Sequence, residues 1–117
     1  MAAISATSVF ETRGASSTGE PINLVHLGHQ TQGDQHLEKE ILSMFAMHSR
    51  TYFNMMTKCC DATTRIRAAH SLKGVSRSIG AFQLADLAER AEVVRHEGYA
   101  AIEKELDRVL EYIQSLK

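Results

Sequence analysis

Five stretches of this 117-residue chain carry apolar residues at steps of three and four, and no alternating strand pattern competes with them. They cover about 23–32, 35–58, 62–79, 82–97 and 99–116. Because only short connections separate neighbouring stretches, each helix is expected to fold back on the one before it. The pattern therefore predicts an all-α fold, an antiparallel four-helix bundle with a short additional N-terminal helix.

Residues with local capping chemistry stand at the ends of these stretches. Asn23, Asp34 and Asp61 each precede a stretch, and their short polar side chains suit the first exposed N–H groups of a helix. Gly33 and Gly98 stand at breaks, where glycine adopts the left-handed backbone that ends many helices. The predicted boundaries therefore rest on two independent signals.

The apolar stripes also predict which side of each helix faces the core. The expected core positions are Leu37, Ile41, Met44, Phe45, Tyr52, Met55 and Met56 on the second helix, Ala68, Leu72, Val75 and Ile79 on the third, Leu84, Leu87, Ala88, Ala91 and Val94 on the fourth, and Tyr99, Ile102, Leu106, Val109, Leu110, Ile113 and Leu116 on the fifth. His48 lies on the stripe of the second helix, so we expect it to be packed or partly buried.

The remaining composition limits the domain plan and the function classes. Residues 1–20 are rich in Ser, Thr, Ala and Gly and predict a flexible tail, whereas 21–117 predict one domain. A net charge of −1 argues against a nucleic-acid partner. The sequence has no apolar run of membrane-spanning length and no signal-peptide layout, so we expect a cytoplasmic protein without a membrane partner. We also expect a monomer.

The third helix differs from the others on its solvent side. At about 100° per residue, its core residues lie opposite His70, so the His70 side chain is expected to point into solvent. The residues predicted around it are Ile66, Arg67, Lys73, Gly74 and Arg77. Because residues 62–85 contain four cations and no Asp or Glu, this face is expected to form a small electropositive patch.

Two residues of this face indicate that another protein approaches it. Gly74 lies in a helix interior, where glycine costs about 1 kcal/mol relative to alanine, so we expect it to leave room for close approach. Ile66 is an apolar residue on the solvent side, which favours a protein surface as the approaching object. Arg67 and Arg77 flank the same face and are expected to steer an acidic partner.

The segment from Ala69 to Ala81, AHSLKGVSRSIGA, resembles the active-site motif of histidine-containing phosphotransfer (HPt) domains. The family pattern is a histidine followed by Leu-Lys-Gly, a small residue two positions later, and a Gly-Ala pair further on. The resemblance extends over about 22–117. It implies that His70 is the phosphoacceptor, that Lys73 screens the phosphate, and that Gly74 leaves access for a receiver domain.

The same resemblance implies the partners. They are the receiver domains of response regulators, with a hybrid histidine kinase as a further candidate, and His70 would take a phosphoryl group from one receiver aspartate and pass it to another. The Mg²⁺ in this reaction belongs to the receiver, so no cofactor or metal is expected on this chain. Without a Gly-x-x-x-x-Gly-Lys element, neither ATPase nor autokinase activity is expected.

Three other functions are compatible with a helical bundle. A receiver-binding interaction module without phosphotransfer stays open, although the intact His70, Lys73 and Gly74 argue against it. The phosphoacceptor domain of a histidine kinase usually has an acid directly after the histidine and a proline soon afterwards, but here Ser71 follows and no proline does. A metal-binding bundle enzyme would need inward Glu-x-x-His pairs, which the apolar stripes lack.

Overall fold

The computed structural model describes residues 20–93 and 98–116, and all regular structure within them is helical. The helices are α1 (Leu24–Thr31), α2 (Gln35–Lys58), α3 (Ala62–Ser78), α4 (Phe82–Val93) and α5 (Tyr99–Ser115). Their bounds agree with the predicted ones within one residue wherever the structure describes both ends. The predicted tail, apart from Glu20, and the last predicted turn of α4 at 94–97 lie outside the described residues.

The predicted N-caps are confirmed by their hydrogen bonds. Asn23 Oδ1 accepts the backbone N–H of His26, and Asp34 Oδ1 accepts two N–H groups in the first turn of α2. Asp61 Oδ2 accepts both the N–H and the hydroxyl of Thr64, and these hydrogen bonds lower the pKa of the Asp61 carboxyl. Each cap joins groups two or three residues apart, which explains why the sequence alone located them.

The four longer helices pack in a closed order around a common core. α2 packs against α3, α3 against α4, α4 against α5, and α5 against α2. Two polar contacts tie α2 to α5: Arg50 Nη2 donates to Asp107 Oδ1 at 2.7 Å, and Tyr99 Oη donates to the Met56 carbonyl at 3.3 Å. The fully buried side chains with the largest volumes include Leu72, Leu84, Ile102, Leu106 and Val109.

The short helix α1 is attached to the turn between α3 and α4. The Asn23 N–H donates to the Gly80 carbonyl at 2.9 Å, and the neighbouring Ile22 is fully buried. Gly80 has a φ of +88°, and a Cβ there would lie 2.7 Å from the Asn23 carbonyl oxygen. Glycine is therefore required at this turn both by backbone conformation and by the approach of α1.

The prediction of which side of α2 faces the core is partly wrong. Leu37, Met44 and Met55 are exposed, and His48, which we expected to be at least partly buried, is exposed as well. The buried side chains are Leu42, Phe45, Ser49, Phe53 and Met56. The helix carries apolar residues on two adjoining sides, and periodicity alone does not tell which of them meets the other helices.

Smaller departures occur on the other helices. Val75, Leu87, Tyr99 and Leu110 are only half-buried, and Leu116 is exposed. The predicted Val94 lies outside the described residues. A polar residue takes a core position on α5: the Glu105 side chain is buried, its Oε1 accepts from Arg108 at 2.9 Å, and its Oε2 has no hydrogen-bond partner among the described residues.

No helix in the described part of the chain combines the length and the apolar character that crossing a membrane requires.

Candidate functional site

His70 lies in the middle of α3, on the side that faces away from the core. Its side chain is 68% exposed, whereas Ala69 and Leu72 beside it are buried. Leu72 and Ile79 are fully covered and Val75 is half-buried, so the helix is oriented as the sequence predicts to within a small rotation. The packed residues behind His70 hold α3 in place and leave its imidazole accessible to a large partner.

One carboxylate from the neighbouring helix contacts both His70 and Lys73. Glu92, in the last turn of α4, has Oε2 at 2.7 Å from His70 Nδ1 and Oε1 at 2.9 Å from Lys73 Nζ. The Glu92 and Lys73 side chains are only 17% and 16% exposed. Two short bonds to one carboxylate fix its position, and through it they fix the orientation of the imidazole ring.

The protonation state of Glu92 decides which nitrogen of His70 is available. Partial burial raises the pKa of Glu92, but the hydrogen bonds from Lys73 and His70 outweigh burial, and the pKa lies below its ordinary value. Glu92 is therefore ionised at neutral pH and only accepts hydrogen bonds. Nδ1 of His70 must then carry the proton, which leaves the lone pair of the neutral imidazole on Nε2.

The expected electropositive patch is largely neutralised. Besides the Glu92–Lys73 pair, Arg77 Nη2 lies 3.5 Å from Glu89 Oε1 on α4. Of the three cations predicted around His70, Lys73 and Arg77 are paired, and Arg67 makes no ion pair with the described residues. The prediction counted charges along α3 alone, whereas the fold brings two acids from α4 against the same face.

The space around Gly74 is open, as its predicted role in access requires. A Cβ added there would meet no heavy atom within 4 Å outside its own helical backbone. Ile66, predicted on the same face, is 41% exposed. Beside this segment a groove runs between α2 and α3, lined by Ile41, Met44, His48 and Val75 among others.

Glu92 is the site residue that the sequence reasoning missed, although the sequence contains a signal for it. His70 and Glu92 are each eleven positions from Ala81, which lies in the turn between α3 and α4. Residues equidistant from the turn of an antiparallel helical hairpin lie at the same level. Applied to His70, this rule selects Glu92 from the acids of α4.

The described residues do not form a metal-binding site. They contain no group of three or more His, Cys, Asp or Glu side chains placed to hold an ion. His26, which forms an i,i+3 pair with His29 in the sequence, packs its ring edge-on against Phe82, with the ring centroids 5.0 Å apart. Cys59 and Cys60, between α2 and α3, are both free thiols.

A comparison with protein-family models matches residues 40–117 to the Hpt domain. The comparisons with curated proteins and with solved structures gave no significant match. The matched region covers two thirds of the chain and contains the whole His70–Glu92–Lys73 contact. Because this match extends over more than half of the chain, the chain belongs to the Hpt domain family.

Proposed function

We propose that this protein is a histidine phosphotransfer protein that accepts a phosphoryl group on His70 from a receiver-domain aspartate and passes it to another receiver. Hpt domains in general carry out histidine phosphotransfer in phosphorelays and interact with receiver domains of response regulators. The observation that carries the proposal is the orientation of His70, whose Nδ1 is held by Glu92 while Nε2 makes no hydrogen bond to the described residues.

In the proposed reaction, the Nε2 lone pair attacks the phosphorus of the aspartyl phosphate, and the carboxylate of the receiver leaves. Negative charge spreads over three equatorial oxygens in the transition state, so catalysis depends mainly on positioning and on nearby cations. Lys73 supports the proposal here because its ammonium has three N–H donors and Glu92 takes one of them. In the proposed reaction, a remaining donor screens the phosphate on Nε2.

The surface around His70 supports a protein as the phosphoryl donor. Met44 on α2 is 56% exposed and lines the groove beside α3, and Ile66 adds a second exposed apolar group. Arg67 supplies an exposed cation, whereas Arg77 is already paired with Glu89. We call Met44, Ile66, Arg67 and Gly74 the docking face and propose that the acidic active-site edge of a receiver lies against it.

The proposed domain boundaries rest on the packing of the helices and on the region that the family model matches. The antiparallel four-helix arrangement predicted from the sequence is supported by the closed packing order of α2 to α5, with α1 attached to the α3–α4 turn. We assign the domain to residues 21–117, which adds α1 and the start of α2 to the matched region.

Phosphotransfer from a labelled receiver tests the assignment of His70. The wild-type protein should take up label from a panel of phosphorylated receivers, and the label should be acid-labile and alkali-stable, as phosphohistidine is. His70→Gln should keep the helical circular dichroism of the wild type and take up none. His36→Gln is the matched control, since His36 is also an exposed histidine on α2 but does not line the groove beside α3; it should be labelled normally.

The same experiment separates phosphotransfer from the alternative function. If His70→Gln is labelled at the wild-type level, the phosphoacceptor is another residue and the assignment is wrong. If the wild type binds receivers but takes up no label from any of them, the protein is an interaction module without phosphotransfer.

A further inference from the structure

We propose that Glu92 controls how long a phosphoryl group stays on His70, because its carboxylate holds the Nδ1 proton after Nε2 has been phosphorylated. The inference rests on the proposed function and extends it to the lifetime of the phosphorylated state. It starts from the distance of 2.7 Å between Glu92 Oε2 and His70 Nδ1, and from the second bond of the same carboxylate to Lys73.

The chemistry of the leaving group connects that proton to the lifetime. When the P–Nε2 bond breaks, its electron pair returns to Nε2, and a new P–O bond forms to a receiver carboxylate or to water. With a proton on Nδ1 the ring leaves as neutral imidazole, whereas without it the ring must leave as an imidazolate anion. Attack by water releases inorganic phosphate, and the remaining water proton passes to solvent. Protonation of Nδ1 therefore speeds both transfer and hydrolysis.

Glu92 favours the protonated ring more strongly in the phosphorylated state than in the free one. In the neutral tautomer of the free imidazole, the ring that carries the Nδ1 proton has no net charge, whereas the phosphorylated ring with that proton is a cation and pairs with the carboxylate. The phosphoryl group is attached at Nε2, on the far side of the ring from Glu92. Glu92 therefore shortens the time that a phosphoryl group stays on His70.

The other charged and titratable groups near this face do not replace Glu92. On α3 itself Arg67, Lys73 and Arg77 are cations, which disfavour an additional positive charge on the ring. On α4 the second acid, Glu89, contacts Arg77 instead of His70. From α2, the titratable group that lines the groove beside α3 is His48, which carries no negative charge. Glu92 is the one carboxylate in contact with the ring among the described residues.

The size of the effect follows from the exposure of the pair. An opposite charge at hydrogen-bond distance shifts a protonation equilibrium by about one pH unit or more, and solvent screening reduces this at an exposed ring. Removing the charge of Glu92 should therefore lengthen the half-life of phospho-His70 by about threefold to tenfold at mildly alkaline pH. The pH at which hydrolysis accelerates should move downward.

The test measures decay of phospho-His70 without a receiver. The full chain is phosphorylated with phosphoramidate, freed of the donor, and followed by ³¹P NMR between pH 5 and pH 9. Glu92→Gln and Glu92→Ala should both lengthen the half-life and move the pH profile downward. Glu89→Gln removes the same charge one turn away on the same helix and is the matched control; it should decay like the wild type.

Three outcomes would overturn the proposal. If Glu92→Gln decays like the wild type and only Glu92→Ala differs, the residue orients the ring by hydrogen bonding and its charge is irrelevant. If Glu89→Gln lengthens the half-life as much as Glu92→Gln, the effect belongs to the general charge of α4. The amount of phospho-His70 is measured before the decay begins. If the wild type has acquired no phosphoryl group on His70 at that point, the proposed function itself is wrong.

Discussion

Replacing Gly74 by alanine should stabilise the free protein and slow its reaction with a receiver. Gly74 lies in the interior of α3, and a Cβ there meets nothing within 4 Å outside its own helix. The full helix-propensity gain of about 0.8–1.0 kcal/mol should therefore appear in the free energy of unfolding. For a domain of this size, that gain corresponds to a rise in Tm of about 3–6 °C. Thermal unfolding followed by circular dichroism measures it.

The transfer rate should change in the opposite direction. A side chain at Gly74 projects into the space that a receiver must occupy to bring its aspartate near His70 Nε2. Because phosphoryl transfer depends on placement, Gly74→Ala should slow receiver-dependent labelling on the order of tenfold, and Gly74→Gln by about a hundredfold. Phosphorylation by phosphoramidate needs no docked protein and should stay within about twofold of the wild type, since the chemistry at His70 is unaltered.

Gly80 is the matched control for the stability half of this prediction. With φ at +88° and the Asn23 carbonyl oxygen only 2.7 Å from the place a Cβ would take, Gly80→Ala should lose about 1–3 kcal/mol of stability. If alanine raises the free energy of unfolding at Gly74 and lowers it at Gly80, the fold does not require glycine at position 74. If Gly74→Ala destabilises the protein, or if both phosphorylation rates fall in parallel, the access explanation is refuted.

Three further predictions concern stability. Leu72→Ala should cost about 2–5 kcal/mol in urea unfolding because Leu72 is fully buried, whereas Lys73→Ala should cost about 1 kcal/mol or less, so equal losses would contradict the assigned faces. Ser49→Ala removes a buried hydroxyl without a partner among the described residues and should raise the free energy of unfolding by up to about 1 kcal/mol; a clear loss would show that the hydroxyl is satisfied. Because the pKa of Glu92 is lowered in the folded state, its stabilisation is present near neutral pH and is lost as pH falls through the folded pKa. The stability difference between the wild type and Glu92→Gln should therefore be larger at pH 7 than at pH 3, and a difference independent of pH would contradict the ionised contact.

The parts of the fold that depend on local chemistry were predictable from the sequence. The caps at Asn23, Asp34 and Asp61 bind backbone groups two or three residues away, so their position along the chain determines the helix ends. The outward position of His70 was predictable because the large apolar residues of α3, apart from Ile66, lie on the opposite side of the helix. α2 lacks this asymmetry: Met44 and Met55 are as apolar as the buried Met56, and packing against α3 and α5 decides which of them is covered.

Charge is harder to predict than burial, because it acts between helices that are distant in sequence. A window that contains Lys73 and Arg77 and no acid predicts a basic surface only if nothing else contacts that surface. In the folded chain Glu92 contacts both Lys73 and His70, and Glu89 contacts Arg77. The consequence for phosphotransfer is specific. Because these ion pairs reduce the attraction of the α3 cations for an acidic receiver, docking should depend more on shape and apolar contact. Salt should therefore weaken receiver binding only modestly. The exposed cation that remains, Arg67, is then the side chain whose removal should reduce the salt dependence of receiver binding most.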